Sequence, residues 1–324
     1  MADIKIFVSH RTDLDSVIID NPLYVNVRCG AVYDKREHIT MLGDNTGDNI
    51  SANKPYYSEL TVQYWAWKNV EADYYGLCHY RRYLSLSSQH FLTDERDHVL
   101  CPFLDERAMQ RFGLLDGHAM EVFIEKYDCI IPYGLDVRSI DTPFGPQSTV
   151  YDHWAAHRDI YLDKAILDLL ISSIQKYCPE WYDDTIEYLH GYIHYAHDCF
   201  ILTKKLFDEL CLFQFSVLFS MESEVDSDSF DGDKIRALGY CGEILNGVFI
   251  YHLTKAGTFR IKEVQMVYVE NTVVPSNLLQ HALLTVNCAV IPGLRVVLGR
   301  FLPAGTSRRK IIRRIYKNIY HKIF

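Results

Sequence analysis

Apolar, strand-like runs alternate with helix-period segments along most of this 324-residue chain. That alternation predicts an α/β sheet with helices on both faces. Two further observations agree. Hydrophobic residues make up 48% of the sequence and charged residues 23%, which suits a large buried core and excludes a disordered chain. The polar and glycine-rich segments follow the strand-like runs, at the carboxyl ends where open α/β sheets hold their ligands.

Ile4-Lys5-Ile6-Phe7-Val8 reads as a first strand that ends in Ser9-His10-Arg11. Tyr24 to Val32 (YVNVRCGAV), which contains Gly30, reads as a second. The segment Gly43-Asp44-Asn45-Thr46-Gly47-Asp48-Asn49-Ile50-Ser51 opposes both helix and strand and favours tight turns. Ser58 is expected to cap a helix running to about Asn69, with Leu60, Tyr64 and Trp67 on one buried face. Asp73 to Leu77 reads as a strand that delivers Cys78-His79-Tyr80-Arg81-Arg82-Tyr83 at its end. Residues 84–118 read as irregular, 118–126 as a helix, and Tyr127 to Pro132 as a strand. A Gly/Pro-rich loop at 134–149 leads into a helical block at about 150–218 and an acidic loop at 222–234. A helix near 236–252 and a strand from Phe259 to Val269 complete the body, with no internal repeat.

The formal charge of −9 argues against a nucleic-acid partner. It is unevenly spread: residues 300–324 hold eight of the 33 Lys and Arg and none of the 42 Asp and Glu. Within Ser307 to Phe324, an apolar stripe including Ile312, Ile315, Tyr316, Ile319 and Phe324 opposes Arg308, Arg309, Arg313, Arg314 and Lys317. That pattern suits a helix lying in an anionic membrane interface, although docking on the acidic body or pairing of subunits would use the same face. The apolar stretch Leu283 to Leu298 is broken by Asn287, Pro292 and Arg295, so no segment is expected to span a bilayer. Nine cysteines without a CxxC pair point to reduced, buried thiols, and the N-terminus lacks the basic start of a signal peptide. Together these predict a cytoplasmic protein, peripheral on the membrane.

Several groups could carry chemistry. If the strand continued through His79-Tyr80-Arg81-Arg82-Tyr83, alternation would send His79 and Arg81 to one side and Arg82 to the other. Paired guanidiniums at a strand end could clamp a diphosphate, or could form a structural ion-pair cluster. The loop at 43–51 could hydrogen-bond a base or sugar, could chelate Mg²⁺ or Mn²⁺ through Asp44 and Asp48, or could be an ordinary turn. It lacks the spacing of a calcium loop. His190, His194 and His197 fall at i, i+4 and i+7 of an expected helix, where packing or lining of an acceptor cleft is favoured over zinc. Asp198 could act as a general base, bind a sugar hydroxyl or cap an element. Glu243, alone among apolar and small neighbours, must be paired or poised for proton transfer, with an Arg of the 79–83 cluster one possible partner. The chain contains no GxGxxG, GxxxxGK[ST] or GxSxG, so dinucleotide, P-loop and α/β-hydrolase chemistry lose support.

The succession of a strand ending at His10, GDNTGDNIS, ELTVQYWAWKN (Glu59 to Asn69), GLCHYRRYL (Gly76 to Leu84) and FILTKKLFDEL (Phe200 to Leu210) resembles a bacterial family over residues 4–255. Its members were long classed as a domain of unknown function. They belong to capsular and exopolysaccharide biosynthesis and are regarded as glycosyltransferases. The resemblance implies a GT-A-like fold at 1–300, with a donor-binding part at about 1–135, an acceptor-side part at about 136–300, and the basic tail at 301–324. It implies donor contacts from His10, Gly30, Asp44, Thr46, Gly47, Asp48, Asn49, Glu59, Tyr64, His79, Arg81 and Arg82. The metal-binding Asp-x-Asp usual in such enzymes is replaced here by HYRRY, so the expected counter-charges to a departing UDP are His79, Arg81 and Arg82. Asp44 and Asp48 are the ligands if Mn²⁺ or Mg²⁺ takes part. Asp198 or Glu243 is the expected base. The sequence departs from its relatives at Asp198-Cys199, where they read Asn-Met, and at Ile244, where they carry an Arg beside the glutamate. The second change predicts an altered hold on Glu243. The expected reaction moves a hexose, with galactose as pyranose or furanose the leading choice, from UDP to a polyprenyl-diphosphate-linked oligosaccharide at the cytoplasmic membrane face. A sugar-phosphate transferase and a non-catalytic scaffold are the rivals.

Overall fold

The structure is a computed structural model that describes residues 2–301 except 38, 159, 196 and 226–231, with only the backbone described over 291–301. The tail stripe of Arg308, Arg309, Ile312, Arg313, Ile315, Tyr316, Ile319 and Phe324 lies outside the described residues.

The strands are β1 (Ile4–His10), β2 (Tyr24–Arg28), β3 (Leu42–Gly43), β4 (Tyr74–His79), β5 (Arg82–Leu84), β6 (His98–Phe103), β7 (Cys129–Pro132), β8 (Leu135–Asp136), β9 (Ile193–His194), β10 (Phe200–Thr203), β11 (Ile261–Val264) and β12 (Met266–Asn271). The helices are α1 (Lys54–Tyr57), α2 (Leu60–Asn69), α3 (Glu106–Arg111), α4 (Gly117–Ile124), α5 (Val150–Ala155), α6 (Lys164–Tyr177), α7 (Tyr182–His190), α8 (Lys204–Glu222), α9 (Ala237–Ala256) and α10 (Leu278–Phe301). The main sheet runs β11-β7-β10-β4-β1-β2-β3. Strands β2, β1 and β4 are parallel, whereas β10 enters antiparallel between β4 and β7. A side branch pairs β12 with β5 and β6.

The central strands are buried on both faces, which is why they read as continuous apolar runs. Along β1, Ile4, Ile6 and Val8 enter one core layer, while Phe7 enters the layer built with α2, α8 and α9. On that side Phe7 meets Trp65 edge-on with centroids 6.2 Å apart, and Tyr75 stacks on Phe207 at 4.4 Å. Helix α2 is buried from Leu60 to Ala66 and carries no single polar face. Its Gln63 amide donates to Gln214 Oε1 at 2.7 Å, and the Gln214 amide donates to the Gly242 carbonyl at 2.8 Å. This chain of amide hydrogen bonds ties α2, α8 and α9 together inside the core, although Gln63 Oε1 is left unpaired.

Parallel pairing aligns the ends of β1, β2, β3 and β4, so His10, Arg28, Gly43 and His79 share one edge of the sheet. Because β10 runs the other way, its start lies at that same edge, with Phe200 opposite Leu77. Asp198 and Cys199 therefore arrive beside the end of β4.

Local structure departs from the sequence reading in several places, and the helical block expected at 150–218 is interrupted by β9 and β10. The HYRRY segment is not one strand: β4 turns back after His79, and Arg82 pairs with His79 across a two-residue turn. Ser58 makes no side-chain cap and adopts φ 52°; Glu59 starts α2 instead. Helix α7 stops at His190 before Gly191, so His194 lies in β9 and His197, at φ 70°, in a turn. The second strand ends at Arg28, before Gly30 takes a left-handed conformation. Residues 84–118 contribute β6 and α3, and the expected strand at 259–269 is two strands, β11 and β12. All nine cysteines are free and buried. Among the described residues, no helix is long and apolar enough to cross a membrane.

Candidate functional site

A cavity of about 270 Å³ opens at the carboxyl edge. The sheet side supplies Glu59, Arg82, His194, His197 and Asp198. Helix α9 supplies Gly239, Tyr240 and Glu243, and the region around α5 supplies His153, Trp154, His157 and Tyr161. Arg96 and Arg236 complete the cationic lining.

Two carboxyls at its base have opposite character. Asp198 is 7% exposed, and its Oδ1 has no hydrogen-bond partner. Burial, then the negative charges of Glu243 and Glu59, push its carboxyl well above the usual range, with Arg82 opposing. Burial alone would raise Glu243 too, but its histidine partners win and hold the carboxyl below its ordinary value. Glu243 Oε1 accepts the backbone N–H of His197 at 3.0 Å and stands 3.6 Å from His194 Nε2. Burial keeps the Tyr188 phenol protonated, and its oxygen shares a hydrogen bond with His194 Nδ1 at 2.6 Å. Gly247 makes the arrangement possible, since a Cβ there would lie 2.1 Å from the Tyr188 hydroxyl. Their surroundings thus push the two carboxyls in opposite directions.

Ile244 points into the core with no exposed surface, and Glu243 is held by the His197 backbone N–H with His194 beside it. His190 does not join them, its Nδ1 being bonded to the Ile186 carbonyl at 2.8 Å. Among the described residues, no group of three or more His, Cys, Asp or Glu could hold a metal ion.

The arginine pair is divided. Arg81 donates from Nε to the Val269 carbonyl at 3.0 Å and from a terminal nitrogen to the Glu270 carbonyl at 3.1 Å, and its guanidinium lies over Tyr268. It is engaged in holding β12 and does not line the cavity. Arg82 does: it stands 4.0 Å from Glu59, and its buried Nε has no partner. His79 is held neutral, first by burial and then by the charges of Arg82 and Arg81, with Nδ1 buried and unpartnered. His153 Nδ1 and Trp154 Nε1 are likewise unpartnered at the cavity wall. With Arg82 Nε and Asp198 Oδ1 they make four unmet polar atoms around one space, which ordered water or a polar ligand would satisfy.

The remaining donor-side residues have structural partners. Both ring nitrogens of His10 are used, Nδ1 by Ser16 Oγ at 2.7 Å and Nε2 by Asn26 Oδ1 at 2.8 Å. The Asp44 carboxylate accepts from the Gly30 and Ala31 amides, the Ser51 hydroxyl and the Thr61 hydroxyl. Thr46 Oγ1 accepts from Trp65 Nε1, and Asp48 Oδ1 accepts from Tyr64. Asn69 accepts the Asp48 N–H and donates to the Asp48 carbonyl, while Asn49 donates to the Gly47 carbonyl. Gly47 sits at φ 57°, where a Cβ would lie 1.9 Å from Asn69 Oδ1. The loop thus clasps α2, and none of its residues lines the cavity. With all four acceptor positions of Asp44 filled by N–H and O–H donors, Asp44 does not fit the divalent ion that the fold family commonly carries, which leaves Asp48 as a single carboxylate.

Sequence reasoning passed over Arg96, Arg236 and the aromatic wall of His153, Trp154, Tyr161 and Tyr240. Trp154 and Tyr240 rings lie 6.0 Å apart, and Tyr161 and Tyr240 4.7 Å apart. The run of aromatic and histidine residues at 151–161 was the available signal.

The sequence model of a family described as a domain of unknown function, DUF4422, matches residues 5–255. No curated protein matches the chain. A solved apo structure of a bifunctional glycosyltransferase, WbbM, is similar, with 28% identity and a TM-score of 0.75 over 85% of this chain. The match takes in 48% of the WbbM chain, so this chain spans about half of that protein's length. The central, mostly parallel sheet flanked by helices is a GT-A-like fold.

Proposed function

From a chain that belongs to the DUF4422 family and shares a GT-A-like fold with a glycosyltransferase, we propose a glycosyltransferase that moves a hexose from a UDP-sugar to a saccharide acceptor. The observation that carries the proposal is the pair of oppositely tuned carboxyls, Asp198 and Glu243, in a cavity that also presents Arg82.

Asp198 is the base. Its raised carboxyl makes the ionised form a strong proton acceptor. Glu243 stays ionised beside it, and its charge helps keep the Asp198 carboxyl high. The acceptor hydroxyl gives its proton to Asp198 as its oxygen bonds to the anomeric carbon. The bond from that carbon to the diphosphate breaks, and UDP leaves with the electron pair. Arg82 neutralises the charge developing on the diphosphate. The faces of Trp154, Tyr161 and Tyr240 offer apolar surface to the C–H groups of a sugar ring, while His153 Nδ1 and Trp154 Nε1 remain for its hydroxyls. Galactose, in pyranose or furanose form, is the leading donor sugar. A polyprenyl-diphosphate-linked oligosaccharide of capsular, exopolysaccharide or O-antigen synthesis, at the cytoplasmic face of an anionic inner membrane, is the proposed acceptor. The basic tail would bring the enzyme to that surface.

Calorimetric titration with UDP, once in EDTA and once with Mn²⁺, tests the donor side. Binding that survives EDTA and is lost in Arg82→Ala supports the arginine reading. Binding only with Mn²⁺ moves the diphosphate to a metal and overturns the role of Arg82. Release of UMP or CMP in place of UDP would identify a sugar-phosphate transferase.

A further inference from the structure

Helix α10 carries two apolar faces, and among the described residues only one is covered. Leu284 and Cys288 are buried against the body, and His281 packs on Phe103 with centroids 4.3 Å apart. On the other side Leu279, Leu283, Val286 and Val290 follow at i, i+4, i+7 and i+11, a continuous helical stripe. Their exposures are 68%, 39%, 59% and 48%, and Leu278 before them is 86% exposed. Single exposed apolar side chains are ordinary, but a stripe in register along three turns marks a contact surface.

The surroundings indicate what covers it. A second cavity of about 510 Å³ lies between α10, β6 and α3, and the exposed Arg107 and Arg111 stand on its wall beside α10. The sequence beyond α10 continues the cationic trend, since residues 302–324 contain seven Lys or Arg and no acid. An apolar stripe followed in the sequence by positive charge is complementary to a bilayer surface, whose acyl region accepts the stripe and whose anionic headgroups attract the cations. A soluble partner or a second copy would need its own acidic, apolar patch to match.

We propose that α10 is a membrane-docking element, seating the folded body on an anionic lipid surface through Leu279, Leu283, Val286 and Val290. This goes beyond a tail that tethers: a tether restrains distance, whereas a face on the body fixes the angle at which the protein meets the bilayer. The proposal stands apart from the glycosyltransferase reading, because it concerns lipid binding without donor or acceptor.

The test is co-sedimentation of the full chain with phosphatidylcholine vesicles, with and without phosphatidylglycerol. Wild type is expected to bind the anionic vesicles and to keep part of that binding in high salt, where charge attraction is screened. The double variant Leu283→Glu, Val286→Glu is expected to lose about tenfold or more of its partition and to become fully salt-sensitive. A variant that binds as wild type does overturns the proposal. Hydrogen exchange on wild type gives a second reading that needs no substitution: residues 278–290 gain protection on adding anionic vesicles. Absence of that protection, or protection that grows with protein concentration without vesicles, overturns the proposal, the latter in favour of a second copy.

Discussion

Replacing Asp198 by asparagine should stabilise the protein in a pH-dependent way while abolishing its activity. The carboxyl is buried, lacks a partner at Oδ1 and faces the charges of Glu243 and Glu59, so the folded state holds its proton more tightly than the unfolded chain does. A raised folded pKa reverses the usual carboxylate behaviour. Its contribution is fully present below the unfolded value and is lost as pH rises towards the folded one. Inside that window wild type loses about 1.4 kcal/mol of stability for each pH unit through this group, and the Asp198→Asn variant loses nothing. Between the unfolded and folded values the variant should therefore gain steadily on wild type as pH rises. Urea melts of both proteins at several pH values measure the difference directly. Activity should fall by about 10²–10⁴, the usual worth of a positioned base. Parallel stability curves for the two proteins would mean that the carboxyl titrates normally, and the assignment of Asp198 as a base tuned by burial would fall.

Three other outcomes follow from the same geometry. Glu243→Gln keeps the hydrogen-bond acceptor but removes the charge that raises Asp198, so the acid limb of the pH–rate profile should move to lower pH; an unmoved limb would uncouple the two groups. Arg82→Ala should cut UDP affinity or kcat by about 10²-fold with little change in melting, whereas Arg81→Ala should leave UDP binding intact and cost about 2–4 kcal/mol, since it ends two charge-assisted bonds to carbonyls. Asp44→Ala strands four donors at once and should lower stability by about 3–5 kcal/mol, read from the urea midpoint, with EDTA leaving the wild-type melting temperature unchanged.

The sheet was legible because its signal is local. Strand β1 and the turn chemistry of residues 43–51 follow from apolar runs and from Gly, Asn and Asp at short spacing. The destinations of side chains were not legible. Two motifs quoted side by side, GDNTGDNIS and ELTVQYWAWKN, suggested a ligand loop beside a helix, but Thr46, Asp48 and Asn69 show that they are partners of each other. The turn after His79 carries no Gly or Pro, so nothing in HYRRY announced that Arg81 and Arg82 would part. The His194–Glu243 contact joins residues 49 positions apart and depends on β9, a two-residue strand that no periodicity can reveal.

The antiparallel entry of β10 also constrains how the molecule is made. Emerging from the ribosome in order, β1, β2 and β4 can pair early, but beyond the single His79–Arg82 pair the other edge of β4 has no neighbour until residues 200–203 have been synthesised. For more than 120 residues of synthesis the nascent sheet exposes an apolar edge to other chains, the situation in which strands pair wrongly or aggregate. Closing that edge also brings Asp198 into place, so a nascent chain acquires its proposed base only when its most vulnerable surface disappears. Translation pauses or chaperone contacts within residues 80–200 should then govern yield more strongly than those elsewhere in the chain.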